Sequence, residues 1–223
     1  SVREVALIKG EYGWGEFSPF LEYDDAESAP WLASAIEAAT TPKPKLYRTS
    51  VAINGTIPAL NDPVDLKKVV DSFPGVNTFK VKVGTNLAED LARIDVIRKL
   101  QPQAKIRIDV NGLWSVDQAE TFLNAAGEIE YAEQPCATIA ELRELKSRTS
   151  VKIVGDEILR KAADPFKVDL DGAIDFLMLK VQPLGGIQRA HALAAHHNLP
   201  VVVSSALESA VGINYGLMLA ASF

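Results

Sequence analysis

The sequence is short of the residues that build disulfides, zinc sites and membrane spans. Its only cysteine among 223 residues is Cys136, so no disulfide can form within the chain, and no spaced cluster of cysteines and histidines supports a zinc site. No apolar run reaches the roughly 20 residues that a membrane-spanning helix needs. These absences favour a reducing, aqueous compartment, and we expect a cytoplasmic protein.

Basic residues are outnumbered by acidic ones, and no basic run is present. The formal net charge is −6, with a sequence pI near 5.2. Such a surface does not attract polyanions, so the sequence predicts no nucleic-acid partner and no anionic membrane partner. The first residues, 1–4, do not resemble a signal peptide and lack an initiator methionine, so we expect the natural chain to begin further upstream.

A proline-rich segment at residues 41–45 divides the chain into two predicted domains. Before it come a predicted strand, Val2 to Lys9, a glycine-rich segment that indicates turns, and a predicted helix, Ala29 to Ala39. The prediction is a small α+β domain at residues 1–47 and a larger domain at residues 48–223.

In the larger domain, short β-branched runs alternate with helical patterns, which predicts parallel βαβ units. The intervals between successive strand ends are 27, 24, 23, 24 and 24 residues, counted along Lys82, Asp109, Glu133, Asp156, Lys180 and Ser204. So even a period favours a (β/α) barrel over an open doubly wound sheet, which is the structural alternative. Seven strands are predicted where such a barrel has eight, so we expect the barrel to be incomplete at its last strand.

Carboxylates follow three consecutive predicted strands. Asp109, Glu133 and Asp156 would converge, because the carboxyl ends of parallel strands meet at one face. Three crowded carboxylates repel one another unless a cation neutralises them, and oxygen ligands select a hard ion such as Mg²⁺, with Mn²⁺ as a substitute. The histidines lie in or near one predicted helix, away from the strand ends, and are not expected to be ligands: His191, His196 and His197.

Lysines accompany these carboxylates. Lys80 and Lys82 alternate with apolar residues in one predicted strand, so their side chains share a face. A lysine near other cations has a lowered pKa and can act as a base, which makes Lys82 and Lys180 candidates for acid–base chemistry. Lys80 fits a counter-ion of the acidic cluster equally well. An aldolase that uses Lys180 as a Schiff base is a weaker alternative, because it leaves the carboxylates unexplained.

At these residues the sequence resembles the enolase superfamily, in its muconate-lactonising-enzyme-like branch. Four segments, at residues 13–17, 131–136, 180–186 and 201–208, are similar to the o-succinylbenzoate synthase group of that branch, especially its actinobacterial members. Five motifs carry the superfamily resemblance: Lys80-Val81-Lys82, Asp109-Val110-Asn111-Gly112, Glu133-Gln134-Pro135, Gly155-Asp156-Glu157 and Leu179-Lys180-Val181.

The resemblance implies an enolase-superfamily barrel whose small α+β domain caps the site. It also implies a Mg²⁺-dependent lyase that makes o-succinylbenzoate for menaquinone synthesis, acting on a small carboxylate whose α-proton is removed to give a metal-stabilised enediolate. The implied roles are as follows: catalytic, Lys82 and Lys180; supporting, Lys80, Asn111 and Glu157; substrate-binding, Ser204, Ser205, Gly185 and Gly186; one Mg²⁺ held by Asp109, Glu133 and Asp156.

Two alternatives stay open. N-acylamino acid racemases and dipeptide epimerases share much of this frame, and an inactive binding module is favoured by an expected lack of terminal residues that family members usually have. Ile158 departs from the family, since serine often follows the Asp-Glu pair at this point. The sequence does not fix the oligomeric state, and a monomer is compatible with it.

Overall fold

A computed structural model describes residues 3–223 as alternating strands and helices after an N-terminal hairpin. The strands are β1 (Ala6–Gly10), β2 (Gly13–Phe17), β3 (Gly55–Ile57), β4 (Thr78–Lys82), β5 (Lys105–Asp109), β6 (Tyr131–Glu133), β7 (Ile153–Gly155), β8 (Phe176–Lys180) and β9 (Val201–Ser204). The helices are α1 (Asp25–Thr40), α2 (Pro63–Asp71), α3 (Leu87–Leu100), α4 (Val116–Ala125), α5 (Ile139–Arg148), α6 (Glu157–Arg160), α7 (Ile187–His197) and α8 (Ala210–Ala221), with a 3₁₀ turn at Pro165–Lys167.

The chain packs as two compact units. The first comprises the chain up to Val51 together with Leu159–Lys167 and Leu177–Phe223, and the second comprises Ala52–Ile158 and Val168–Phe176. The boundary after residue 47 that the prolines indicate stays a prediction.

The second unit contains parallel strands whose register fixes the position of the charged side chains. β4 pairs with β5 so that Lys82 lies opposite Asp109, and β5 pairs with β6 so that Asp109 lies opposite Glu133. Phe79 and Val81 alternate with the lysines of β4 and are fully buried. The helix starts are set locally, since Asn86, Ser115 and Thr138 each cap a helix with a side-chain oxygen: α3, α4 and α5 respectively.

The first unit contains the hairpin of β1 and β2 packed on α1. A side chain at Gly15 would place its Cβ 1.9 Å from the carbonyl oxygen of Ala35, so only glycine allows this close approach. α1 begins with a capping box between Asp24 and Glu27, four residues before the predicted start at Ala29. In the same unit β8 pairs in parallel with β9, with Lys180 opposite Ser204.

The strand order confirms the predicted (β/α) barrel type. From β3 to β7 in the second unit, and from β8 to β9 in the first, the strands follow one another in chain order, without the reversal that defines a doubly wound sheet, so that alternative is wrong. One other expectation differs from the structure: the predicted turn segment contains β2. The predicted first strand begins at Ala6, and Val2 lies outside the described residues. Within residues 3–223, no helix is both long and apolar enough to cross a membrane.

Candidate active site

The two lysines of β4 converge on one buried carboxylate, that of Asp109. Lys82 Nζ lies 2.6 Å from Asp109 Oδ2, and Lys80 Nζ lies 3.0 Å from the same oxygen. Lys80 Nζ also donates to Glu133 Oε2 at 2.8 Å, and Lys82 Nζ donates to Asn111 Oδ1 at 2.9 Å. Strand alternation and parallel register together produce this cluster, as the lysine spacing predicted.

The two lysines differ in their access to solvent. The Lys80 side chain is 10% exposed and lies between two carboxylates, whereas the Lys82 side chain is 37% exposed. Only a group that a substrate can reach is able to exchange a proton with it. Lys82 is therefore the better candidate for proton transfer, and Lys80 fits a fixed counter-ion.

The ion pairs shift the pKa values of the buried partners. Burial acts to raise the pKa of Asp109, but the charges of Lys80 and Lys82 outweigh it and the pKa is lowered. Burial acts to lower the pKa of Lys80, but the charges of Glu133 and Asp109 outweigh it and the pKa is raised. The raised pKa favours the charged form of Lys80 and therefore a counter-ion role for this lysine.

Asp156 and Glu157 follow β7 and are tied to the loops after β5 and β6. The backbone N–H of Asp156 donates to Gln134 Oε1 at 3.0 Å, and Asn111 Nδ2 donates to Glu157 Oε1 at 3.0 Å. Asn111 therefore contacts both Lys82 and Glu157. The supporting roles expected of Asn111 and Glu157 stay predictions. The hydrogen bonds of Gln134 were not predicted. The sequence analysis named this residue only as part of the motif that begins at Glu133, and a single sequence does not show side-chain contacts between strands.

The donor chemistry of this cluster fits a hard cation. Asp109 Oδ1 is buried without a hydrogen-bond partner among the described residues, and such an atom has unused capacity to bind a positive charge. At the present side-chain positions, however, no group of three or more His, Cys, Asp or Glu side chains within residues 3–223 is arranged to hold a metal ion. Lysine ammonium groups neutralise Asp109 and Glu133 instead, so the predicted ligand set stays a prediction.

The remaining predicted residues belong to the first unit. Lys180 ends β8, is 9% exposed and lies opposite Ser204, while Ser205 is exposed. The glycines before α7 have positive φ values, 91° at Gly185 and 112° at Gly186. The substrate roles predicted for these residues stay predictions.

A carboxylate already caps the start of α7. Glu37 Oε1 accepts a hydrogen bond from the backbone N–H of Ile187 at 2.6 Å, and a Cβ at Gly186 would lie 2.6 Å from the same oxygen. This contact gives Gly186 a structural reason to be glycine that does not involve a substrate.

Comparison with known proteins identifies the family. Residues 66–223 match the model of enolase C-terminal domain-like proteins, and residues 1–39 match that of enolase N-terminal domain-like proteins. The chain belongs to the enolase superfamily. An o-succinylbenzoate synthase of Mycolicibacterium smegmatis is 49% identical over 228 aligned positions, which cover 100% of this chain and 70% of that protein. The predictions of the superfamily and of an enzyme are thereby confirmed.

Solved structures of the superfamily confirm the fold. A mandelate racemase/muconate lactonizing enzyme from Roseiflexus sp. superposes with a TM-score of 0.80 at 22% identity, covering 99% of this chain and 84% of that one. A dipeptide epimerase from Enterococcus faecalis superposes with a TM-score of 0.79 at 20% identity, covering 98% of this chain and 81% of that one. At such identities the likeness concerns the fold and not the reaction.

Proposed function

We propose that this enzyme is an o-succinylbenzoate synthase. It would dehydrate 2-succinyl-6-hydroxy-2,4-cyclohexadiene-1-carboxylate to o-succinylbenzoate, a step of menaquinone biosynthesis. The observation that carries the proposal is the pairing of a part-exposed Lys82 with the buried Asp109, in a chain whose full length aligns with an enzyme of that name. The cytoplasmic location expected from the sequence and the monomeric state compatible with it stay predictions.

Lys82 supplies the proton transfers in this proposal. Its neutral amine accepts the proton from the ring carbon that bears the carboxylate, and the resulting ammonium returns a proton to the hydroxyl group on the neighbouring carbon. The C–O bond then breaks, water leaves, and the ring becomes aromatic. Asn111 orients Lys82 through the hydrogen bond of 2.9 Å to its Nζ.

Asp109, Glu133 and Asp156 are the residues that would hold a divalent cation, Mg²⁺ or Mn²⁺. Their oxygen donors and the unused Asp109 Oδ1 support this assignment. When bound, the cation would neutralise the substrate carboxylate and the negative charge that develops on it as the α-proton leaves. Lys80 stabilises the same carboxylates from the buried side, since its ammonium contacts both Glu133 and Asp109.

A second candidate function is racemisation or epimerisation of an acylated amino acid or dipeptide. The part-exposed Lys82 fits it as well, because proton removal from an α-carbon is common to both reactions. In that reaction the proton returns to carbon and no water is lost. The two candidates therefore differ in their products and not in their first step.

Product analysis separates the candidates. The chelator-treated enzyme is incubated with the cyclohexadiene substrate, and separately with an N-succinylated amino acid in deuterium oxide, before and after Mg²⁺ is added. We expect an aromatic product with ultraviolet absorbance only after Mg²⁺ is added. Inversion and deuteration of the amino acid without any aromatic product would instead establish the racemase, and the absence of both changes would contradict both candidate reactions.

A further inference from the structure

Gln134 has an unusual backbone conformation for its residue type. It follows Glu133 at the end of β6, is fully buried, and has a φ of 40°. Residues with a side chain rarely adopt this left-handed region, where glycine and asparagine are the common choices. A glutamine held in it suggests that its side chain has a specific task.

The side-chain amide of Gln134 joins the end of β6 to the segment after β7. Its Oε1 accepts hydrogen bonds from the backbone N–H groups of Asp156 at 3.0 Å and Ile158 at 3.3 Å. Both groups lie at the start of α6, where N–H groups have no acceptor within the helix. Its Nε2 donates to the carbonyl oxygen of Cys136 at 2.9 Å, which fixes the orientation of the amide.

The backbone of Gln134 extends the connection to the neighbouring strands. Its N–H donates to the carbonyl oxygen of Val154 in β7 at 2.8 Å, and its own carbonyl accepts from the N–H of Gly112, after β5, at 2.7 Å. Gln134 therefore makes hydrogen bonds to the segment that follows β5, which ends at Asp109, and to the segment that follows β7, which contains Asp156. It is also the next residue in the chain after Glu133.

We propose that Gln134 is a positioning residue that holds Asp156 in place relative to Glu133, so that both carboxylates can bind one divalent cation. The inference rests on the proposed function, because it assumes a cation at these carboxylates. Gln134 does not supply a ligand itself. Outer hydrogen-bond partners of metal ligands orient them, and their loss typically weakens metal binding by about 10- to 100-fold.

Two variants at this position test the proposal. Gln134→Met keeps the side-chain length but cannot accept from Asp156. Gln134→Asn suits the left-handed backbone, but its side chain is one methylene too short to reach the backbone N–H of Asp156. If the methionine variant does not fold, the asparagine variant can still be compared with the wild type. A matched control is Thr138→Ala, which removes the N-cap of α5 in the same loop without touching the candidate ligands.

The readouts are the Mg²⁺ dissociation constant from calorimetry and the melting temperature without Mg²⁺. We expect both Gln134 variants to bind Mg²⁺ more weakly than the wild type by about tenfold or more. For Thr138→Ala we expect a lower melting temperature, with an Mg²⁺ affinity within about twofold of the wild type. Gln134 variants that bind Mg²⁺ as tightly as the wild type, whatever their melting temperature, would overturn the proposal. If the wild type binds Mg²⁺ but forms no aromatic product, the proposed reaction fails while the affinity comparison still decides the role of Gln134. If the wild type binds no Mg²⁺, both fail.

Discussion

Lys82 Nζ and Asp109 Oδ2 lie 2.6 Å apart, and Lys80 Nζ contacts the same carboxylate oxygen at 3.0 Å. One oxygen is thus shared by two ammonium groups. The Lys80 side chain lies between two carboxylates and is 10% exposed, whereas the Lys82 side chain is 37% exposed. We therefore expect Lys82 to be the lysine that reaches a substrate.

Lys82→Ala should abolish most of the activity without unfolding the protein. General acid–base catalysis typically raises the reaction rate by about 10²- to 10⁴-fold. We therefore expect kcat for dehydration to fall by about 10²-fold or more, while Mg²⁺ still binds. Formation of the aromatic product measures kcat, and circular dichroism checks the fold. Lys67→Ala is the matched control, since Lys67 pairs with Asp71 on an exposed face of α2. Unchanged dehydration by Lys82→Ala would remove Lys82 from the mechanism.

Lys80→Met should destabilise the protein much more than the loss of an exposed ion pair does. The substitution removes the buried ammonium group that contacts both Glu133 and Asp109, and breaking a buried pair typically costs about 3–5 kcal/mol. Lys105→Met is the control, because Lys105 in the neighbouring strand is 68% exposed and its pair with Glu130 should contribute at most about 1 kcal/mol. Urea unfolding measures both losses. Equal losses would show that the Lys80 cluster is screened like a surface pair.

Much of this site was predictable because it depends on strand spacing. The intervals between strand ends fix which residues end neighbouring strands, and parallel register then brings Lys82 opposite Asp109 and Asp109 opposite Glu133. The hydrogen bond from the backbone N–H of Ile187, at the start of α7, to the carboxylate of Glu37 was not predictable. It depends on how one helix packs against another, and no local pattern encodes such a contact.

The hairpin shows a different limit of sequence reading. Glycines 10, 13 and 15 indicated turns, yet only Gly13 has a positive φ, and Gly15 lies in β2. Gly15 is required because a helix backbone approaches it closely, a reason that a single sequence does not distinguish from a turn. By contrast, the start of α2 is encoded locally, since Asp62 caps the helix and Pro63 begins it.

Glu16 should make the stability of the first unit depend on pH. Burial acts to raise its pKa, but hydrogen bonds from Ser209, Ser18 and Gly212 together lower it below 4.5, the value expected of an unperturbed group. A lowered folded-state pKa stabilises the protein above the unfolded pKa, and this stability is lost as the pH falls through the folded value.

We therefore expect Glu16→Gln to be less stable than the wild type near neutral pH, by about 1–3 kcal/mol, because Gln is a weaker acceptor for these buried donors. The difference should shrink as the pH falls below about 4.5. Urea unfolding across this range measures it, with Glu22→Gln at an exposed position as the control. A difference that does not change with pH would show that the Glu16 charge has no role.

Gly15→Ala should destabilise the hairpin, whereas Gly216→Ala should stabilise α8. A Cβ at Gly15 would lie 1.9 Å from the carbonyl oxygen of Ala35, so β2 and α1 must move apart, and we expect a loss of about 3 kcal/mol. At Gly216, within α8, a Cβ meets nothing within 4 Å, and alanine should gain about 1 kcal/mol from its higher helix propensity. Urea unfolding of the two variants gives both values on one scale. Because the substitutions are chemically identical, opposite signs can come only from their surroundings, and a Gly15→Ala protein as stable as the wild type would contradict the close packing of β2 on α1.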